Sequence, residues 1–167
     1  MATDAPARAA LLTVSTSRAA GEAEDLGGPR LRALAGRLGV EVAGAEVVPD
    51  VRERIAERLR HWADEESCDL VLTSGGTGLA PSDVTPEATR EAIDREAPGI
   101  AEALRDASKP HTRLWMVSRG VAGTRGRTLI VNLPGNPGAI DETAAVLEVA
   151  VPHALRLLRG AGDHDSG

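Results

Sequence analysis

The run Asp69-Leu70-Val71-Leu72-Thr73-Ser74-Gly75-Gly76-Thr77-Gly78 constrains this chain more than any other stretch. Apolar residues bounded by glycine describe a buried strand that empties into a tight loop. Gly75, Gly76 and Gly78 let the backbone turn sharply and bring its N–H groups close to an anion. Asp83 follows, and Thr85-Pro86 opens a helix. Such a loop suits a phosphate or another acidic group, with a carboxylate placed just beyond it. A plain tight turn after a strand is the alternative reading. The commoner nucleotide loops do not fit. A P-loop ends in Gly-Lys-Ser/Thr, and the one lysine, Lys109, lies far from the glycines. The dinucleotide fingerprint needs a third glycine that the stretch to Pro86 does not supply.

Apolar and polar patterning extends the reading to the whole chain. Strands are predicted at Ala9 to Val14, Val40 to Val48, Leu70 to Thr73, Leu114 to Ser118 and Thr128 to Leu133. The last two are joined through a Gly120–Gly126 turn region. Leu31, Leu34 and Leu38 mark a helix with Pro29 in its first turn and Gly39 past its end. Val51, Ile55, Leu59 and Trp62 mark the next, and further helices span Pro86 to Glu96 and Pro98 to Ala107. A final helical stretch follows Pro137, with Pro152 expected to kink or divide it. Alternating strands and helices predict a three-layer α/β/α domain around a mostly parallel sheet. Ligands of such folds collect beyond the carboxyl ends of the strands. The loops there are Ser15 to Gly28, Pro49-Asp50, Ser74 to Asp83 and Pro134 to Asn136. Met1 to Arg8 is expected as a flexible lead-in, residues 9–160 as one domain, and residues 161–167 as a flexible tail.

Composition narrows the function. With 167 residues, 42% of them hydrophobic, the chain can bury a real core. It has no Phe and no Tyr, so Trp62 and Trp115 are its whole aromatic stock. Single-strand nucleic-acid binders need aromatic platforms, and a net charge of −6 opposes a nucleic-acid partner further. A small-molecule site is the better expectation. A single cysteine, Cys68, excludes an intramolecular disulfide and a cysteine-based zinc site. The histidines show no ligand-like spacing. No apolar run approaches a membrane span and no signal-peptide core is present, so a cytoplasmic location is expected.

The stretches Thr73-Ser74-Gly75-Gly76-Thr77-Gly78 and Ser82-Asp83-Val84-Thr85-Pro86-Glu87-Ala88-Thr89 resemble the signature of the molybdopterin adenylyltransferases, the Mog/MoaB family. Further matches follow the same order. They are Glu24-Asp25-Leu26-Gly27-Gly28-Pro29, Val48-Pro49-Asp50, Arg105 with Ser108, Val117-Ser118-Arg119 and Leu133-Pro134-Gly135-Asn136-Pro137. The resemblance runs from about Leu11 to Gly160. It implies a molybdopterin-binding α/β domain that assembles as a homotrimer. The implied activity is Mg²⁺- and ATP-dependent transfer of AMP to the terminal phosphate of molybdopterin, with release of pyrophosphate. The product then serves molybdenum insertion, which makes the insertion enzyme a candidate contact. Asp50 and Asp83 match the family's acidic site positions, as catalytic residues and Mg²⁺ ligands. Ser15, Thr73, Ser74, Gly75, Gly76, Thr77, Gly78, Ser118, Arg119, Pro134, Gly135 and Asn136 match its substrate- and ATP-binding motifs. Two positions depart from the pattern. Ser82 stands where the family usually has Arg, and Thr16 follows the strand-end serine where an acidic residue or Asn is usual.

The residues fit that chemistry, each beside a plainer reading. An acceptor phosphate monoester is largely ionised near neutrality, so no strong general base is required. One or two carboxylates suffice to place Mg²⁺. Asp50 also forms a possible capping box with Glu53 at the head of the Val51–Trp62 helix. Asp83 also suits an Asx turn, with Thr85 as N-cap. Arg18, Arg119, Arg125 and Arg127 are candidates to meet phosphates, Arg119 foremost; Arg125 and Arg127 also read as solvated hairpin charge. Asn136-Pro137 reads as an N-cap and N1 pair whose helix N-terminus offers N–H groups to an anion. Glu22, Glu24 and Asp25 read as a solvated loop. The competing functions are a non-catalytic molybdopterin-binding scaffold, the related molybdenum-insertion domain of longer chains, and a competence-damage-type nucleotide hydrolase. The last has two adjacent acids where Ser82-Asp83 stands here.

Overall fold

The computed structural model describes residues 5–160. Sheet order is β2-β1-β3-β6-β5-β4. Strands β1 (Arg8–Val14), β2 (Glu41–Val48), β3 (Leu70–Ser74) and β6 (Thr128–Leu133) run parallel, with β2 at the edge. β5 (Ala122–Arg125) pairs antiparallel with both β6 and β4 (Arg95–Glu96). Leu11, Leu72 and Val131 are register partners across three strands and share one buried layer. Their chain neighbours Leu12, Val71 and Ile130 point into the opposite layer. Burial on both faces is why these strands read as continuous apolar runs rather than alternating ones.

Helices α2 (Gly27–Leu38), α5 (Pro98–Ser108) and α6 (Pro137–Leu158) cover the first face. Helices α3 (Arg52–Arg60) and α4 (Thr85–Ala92) cover the second. The three-layer architecture expected from the sequence is therefore the one observed. Trp62, in a widened turn that continues α3, lies on Gly44 of β2, where an added Cβ would stand 2.3 Å from its ring. Its indole N–H donates to Glu46 at 2.7 Å.

Several elements differ from the sequence expectation. Leu114 to Ser118 is not a strand; Trp115–Val117 forms a 3-10 turn, and the strand begins at Ala122, inside the expected turn region. The helix expected to reach Glu96 stops at Ala92, and Asp94 instead bonds the β5–β6 hairpin at Gly126 N (2.8 Å). A four-residue helix, α1 (Thr16–Ala19), interrupts the loop after β1. Pro152 does not divide α6, which runs on as one element. Arg8 lies within β1, and Ala7 O accepts from Glu41 N at 2.8 Å. The remaining expectations for residues 1–4 and 161–167 lie outside the described residues. No helix among the described residues is long and apolar enough to cross a membrane.

Candidate functional site

The parallel strands deliver their carboxyl ends to one edge, and the loops meet there around Gly75. Gly75 N donates to Leu133 O (3.1 Å), joining β3 to β6, and Ser74 Oγ donates to Pro134 O (3.0 Å). Gly75 and Gly76 have φ of +101° and +69°, the left-handed region that favours glycine. A Cβ on Gly75 would stand 2.4 Å from Val14 O, and one on Gly76 2.3 Å from Thr85 Oγ1. Thr85 does not cap α4 as expected. Its hydroxyl donates to Gly75 O at 2.9 Å, while its N–H bonds Gly76 O.

Asp50 and Asp83 flank this loop on two sides. Asp50 Oδ1 lies 3.3 Å from the Cβ position of Gly76, and Asp83 Oδ2 2.8 Å from that of Gly78. The expected capping box is absent, because Asp50 faces away from α3, whose N-cap is Val51. Asp50 Oδ2 accepts from Thr16 N and Thr16 Oγ1, both at 3.0 Å, and Thr16 Oγ1 accepts from Asp50 N. Thr16 thus anchors the carboxylate and leaves Oδ1 toward the glycines. Asp83 forms a turn with Ala80, whose N–H donates to Oδ2 at 3.1 Å, and its Oδ1 makes no hydrogen bond to a described residue. Among the described residues no group of three or more His, Cys, Asp or Glu could hold a metal ion. Two carboxylates with a free oxygen each nevertheless suit Mg²⁺, which keeps waters and takes ligands from a phosphorylated substrate.

Arg119 clamps the loop. Its Nε donates to Gly78 O (2.8 Å), its Nη2 to Asp83 O (2.9 Å), and its Nη1 pairs with Glu87 of α4. Its own N–H bonds Thr77 O at 2.8 Å. The hydrogen bond from Arg119 holds the Glu87 carboxyl below its ordinary range against the opposing effect of partial burial. Arg105 of α5 steadies the other end of the same segment, donating to Gly120 O at 2.9 Å. Arg125 sits far away at the amino ends of the strands, bidentate to Asp64 and bonded to Ala92 O; Arg127 is exposed in the same hairpin. Arg18 is half-buried on α1.

Of the other sequence-predicted residues, Thr73 is fully buried and accepts from Asn132 Nδ2, so it supports the loop from beneath. Ser15 N-caps α1, and Asn136 caps α6 through Gly138 N (3.0 Å), as its Asn-Pro pair suggested. Asp25 is no solvated charge: it accepts from Gly28 N at the head of α2 and from Thr13 Oγ1. Gly135 passes Gly75 so closely that a Cβ would come within 3.3 Å of Gly75 Cα. Beside the loop a cleft of about 250 Å³ opens between α5 and α6 and reaches Ser118, Pro134 and Asn136. The roles of Thr16 and Glu87 were not assigned from the sequence, because their partners Asp50 and Arg119 are distant along the chain; the cleft residue Glu142 carried no sequence signal.

The fold and loop together define a doubly wound α/β domain whose glycine loop lies at the carboxyl edge of the sheet, where such folds commonly bind ligands. A family model described as a probable molybdopterin binding domain matches residues 10–155. The molybdopterin adenylyltransferase of Haemophilus influenzae is 38% identical, over 90% of this chain and 83% of its own length. The solved structure of the molybdopterin biosynthesis enzyme MoaB from Thermus thermophilus superposes with a TM-score of 0.86 at 49% identity, covering 92% of this chain and 96% of that one. The Drosophila melanogaster molybdenum cofactor synthesis protein cinnamon is 39% identical over 89% of this chain, which spans only 25% of that longer protein. The chain belongs to the molybdopterin-binding domain family that includes the molybdopterin adenylyltransferases.

Glycine substitutions test this geometry. Gly75→Ala should cost roughly 2–3 kcal/mol, because strain in φ adds to a backbone clash. Gly39→Ala, also at positive φ but with nothing within 4 Å of the new Cβ, should cost only about 1 kcal/mol. Urea unfolding of both variants checks the contrast.

Glu87→Gln should destabilise by about 0.5–1 kcal/mol at neutral pH, the lower part of the range for a charged hydrogen bond because solvent screens a partly exposed pair. The wild-type carboxyl titrates below its ordinary value of 4.5. Its contribution is therefore complete above that pH and lost as pH falls through the lowered value. Melting curves should show a constant gap between wild type and variant from about pH 8 to 5, closing in stronger acid.

Proposed function

We propose that the protein transfers AMP from ATP to the terminal phosphate of molybdopterin, in molybdenum cofactor biosynthesis. The observation that carries this reading is the pair Asp50 and Asp83, flanking a glycine loop with one uncommitted oxygen each. A phosphate oxygen of molybdopterin attacks the α-phosphorus of ATP, a new P–O bond forms, and the α–β bridging bond breaks to release pyrophosphate. The attacking oxygen is already ionised, so the protein has no proton to remove. Its task is positioning and charge neutralisation.

Thr16 orients Asp50, and the Ala80 turn with the Arg119 clamp orients Asp83. The half-buried backbone at Gly76 and Gly78 and the head of α6 behind Asn136 suit phosphate oxygens. Mg²⁺ held by Asp50 and Asp83 would supply neutralisation of phosphate charge. The cleft beside Ser118, Pro134 and Asn136 takes the pterin. Because Arg119 is committed to loop carbonyls and Glu87, it serves as a positioning residue rather than a phosphate ligand. A homotrimeric assembly, a cytoplasmic location and contact with the molybdenum-insertion enzyme belong to the same reading, supported by the family resemblance.

The test is a direct assay with molybdopterin, ATP and Mg²⁺, following adenylylated pterin and pyrophosphate. Metal-dependent formation of both is expected. Asp83→Asn and Asp50→Asn should each lower kcat by about 100-fold or more, since removing a charge-stabilising group of this kind typically costs that much. Circular dichroism should stay unchanged. Tight pterin binding with no product from the wild type would instead identify a binding scaffold, with Ser82 as the first position to restore to Arg.

A further inference from the structure

The cleft between α5 and α6 contains a carboxylate that accepts no hydrogen bond from the described residues. Glu142 is 22% exposed at its side chain and makes no hydrogen bond to a described residue; its nearest charged neighbour is His111 Nδ1 at 3.8 Å. The surrounding wall includes Leu104, Trp115 and Ala139. Several other polar groups of the cleft are already engaged. Arg105 donates to Gly120 O, Ser108 Oγ to Leu104 O, and Asn136 Oδ1 caps α6. A solvent-facing helix-dipole role explains Glu142 poorly, because it lies beyond the first turn of α6, where that effect has faded. A partly buried carboxylate with no hydrogen bond and only His111 at 3.8 Å beside it favours a ligand with adjacent N–H donors, which it can accept in a bidentate pair.

We propose that Glu142 is a specificity residue that reads the 2-amino-4-oxopyrimidine edge of the pterin, accepting from N3–H and the exocyclic amino group. The identity of the ligand rests on the adenylyl-transfer reading; the recognition chemistry does not need turnover. Adenine offers an amino donor beside a ring acceptor, so one carboxylate oxygen would face a lone pair. The same side chain thereby keeps the base of ATP out of the pterin cleft. Guanine shares the pterin edge and is the natural competitor.

The test is titration of the full chain, without ATP, with pterin, with lumazine and with guanosine. Lumazine carries a 2-oxo group in place of the 2-amino group. Wild type should bind pterin about tenfold or more tightly than lumazine, because a site built around a donor rejects an analogue that lacks it. Glu142→Gln turns one acceptor into a donor while keeping the shape. It should weaken pterin about tenfold and narrow or reverse the preference, since its amide can donate to the 2-oxo group. Equal binding of pterin and lumazine by wild type, an unchanged preference in Glu142→Gln, or no pterin binding would each overturn the assignment. Guanosine binding more tightly than pterin would overturn it in favour of a nucleotide base. A protein that selects pterin yet transfers no AMP would retire the adenylyl-transfer reading alone.

Discussion

Everything at the functional edge depends on one close approach, the passage of Gly75 beneath the carbonyl of Val14 and beside Gly135. Three strand exits converge there, and no side chain fits between them. Gly75 N closes the junction on Leu133 O, while Gly75 O takes the Thr85 hydroxyl. One residue's backbone thus ties β3 to β6 on one side and to α4 on the other. The positive φ of Gly75 and of Gly76 after it turns the chain sharply at the strand's end. Without that turn, Asp50 and Asp83 would belong to unrelated surface loops.

Charge at the edge is arranged so that arginines hold the loop while Asp50 and Asp83 each keep an oxygen without a hydrogen bond among the described residues. Arg119 directs its donors to two carbonyls and to Glu87, and Arg105 to the carbonyl of Gly120. Residues 118–120 therefore form a strap held at both ends, lying between the glycine loop and the cleft. On the proposed reading, substrates of opposite character, a polyphosphate and a flat heterocycle, would meet across this strap. Rigidity here matters more than added positive charge, since a misplacement of about 1 Å can cost a transfer reaction roughly 100-fold.

Much of this was legible in the sequence, and the reasons for the rest are physical. Doubly buried strands announce themselves as apolar runs, so β1, β3 and β6 were read within a residue or so. β5 was missed because Ala-Gly-Thr-Arg has no apolar period, and its burial comes from lying against β6. Leu114 to Ser118 has the composition of a strand but packs as a turn on α5, leaving Leu114 70% exposed. The glycines and aspartates were singled out by their local grammar, and the fold brings them to one edge. The capping-box reading of Asp50 failed because Thr16, 34 positions earlier, offered two donors where a helix cap offers one. Glu142 escaped for the same reason that makes it informative: its meaning lies in a wall assembled from α5, the 3-10 turn and α6.

The two departures from the family pattern are better understood together than singly. Thr16 replaces a position that is usually acidic or Asn, and Ser82 replaces a usual Arg. Where the replaced residue is acidic, one negative and one positive charge are lost from the same edge, so the formal balance there is unchanged. What replaces them differs in kind. Thr16 exchanges a charge for a reciprocal pair of hydrogen bonds that fixes which oxygen of Asp50 faces the loop. Ser82 is exposed and carries no such bond, which leaves the Ala80 N–H on the Asp83 carboxylate and the Arg119 clamp on the Asp83 carbonyl as the restraints on that residue. The chain thus holds its two aspartates by neutral and main-chain contacts instead of by compensating charges. Such contacts are short-ranged and little screened by salt, whereas exposed charge pairs fade within a Debye length of about 8–10 Å. A site built this way should keep its geometry over a wide range of ionic strength, with salt acting on the encounter with anionic substrates instead.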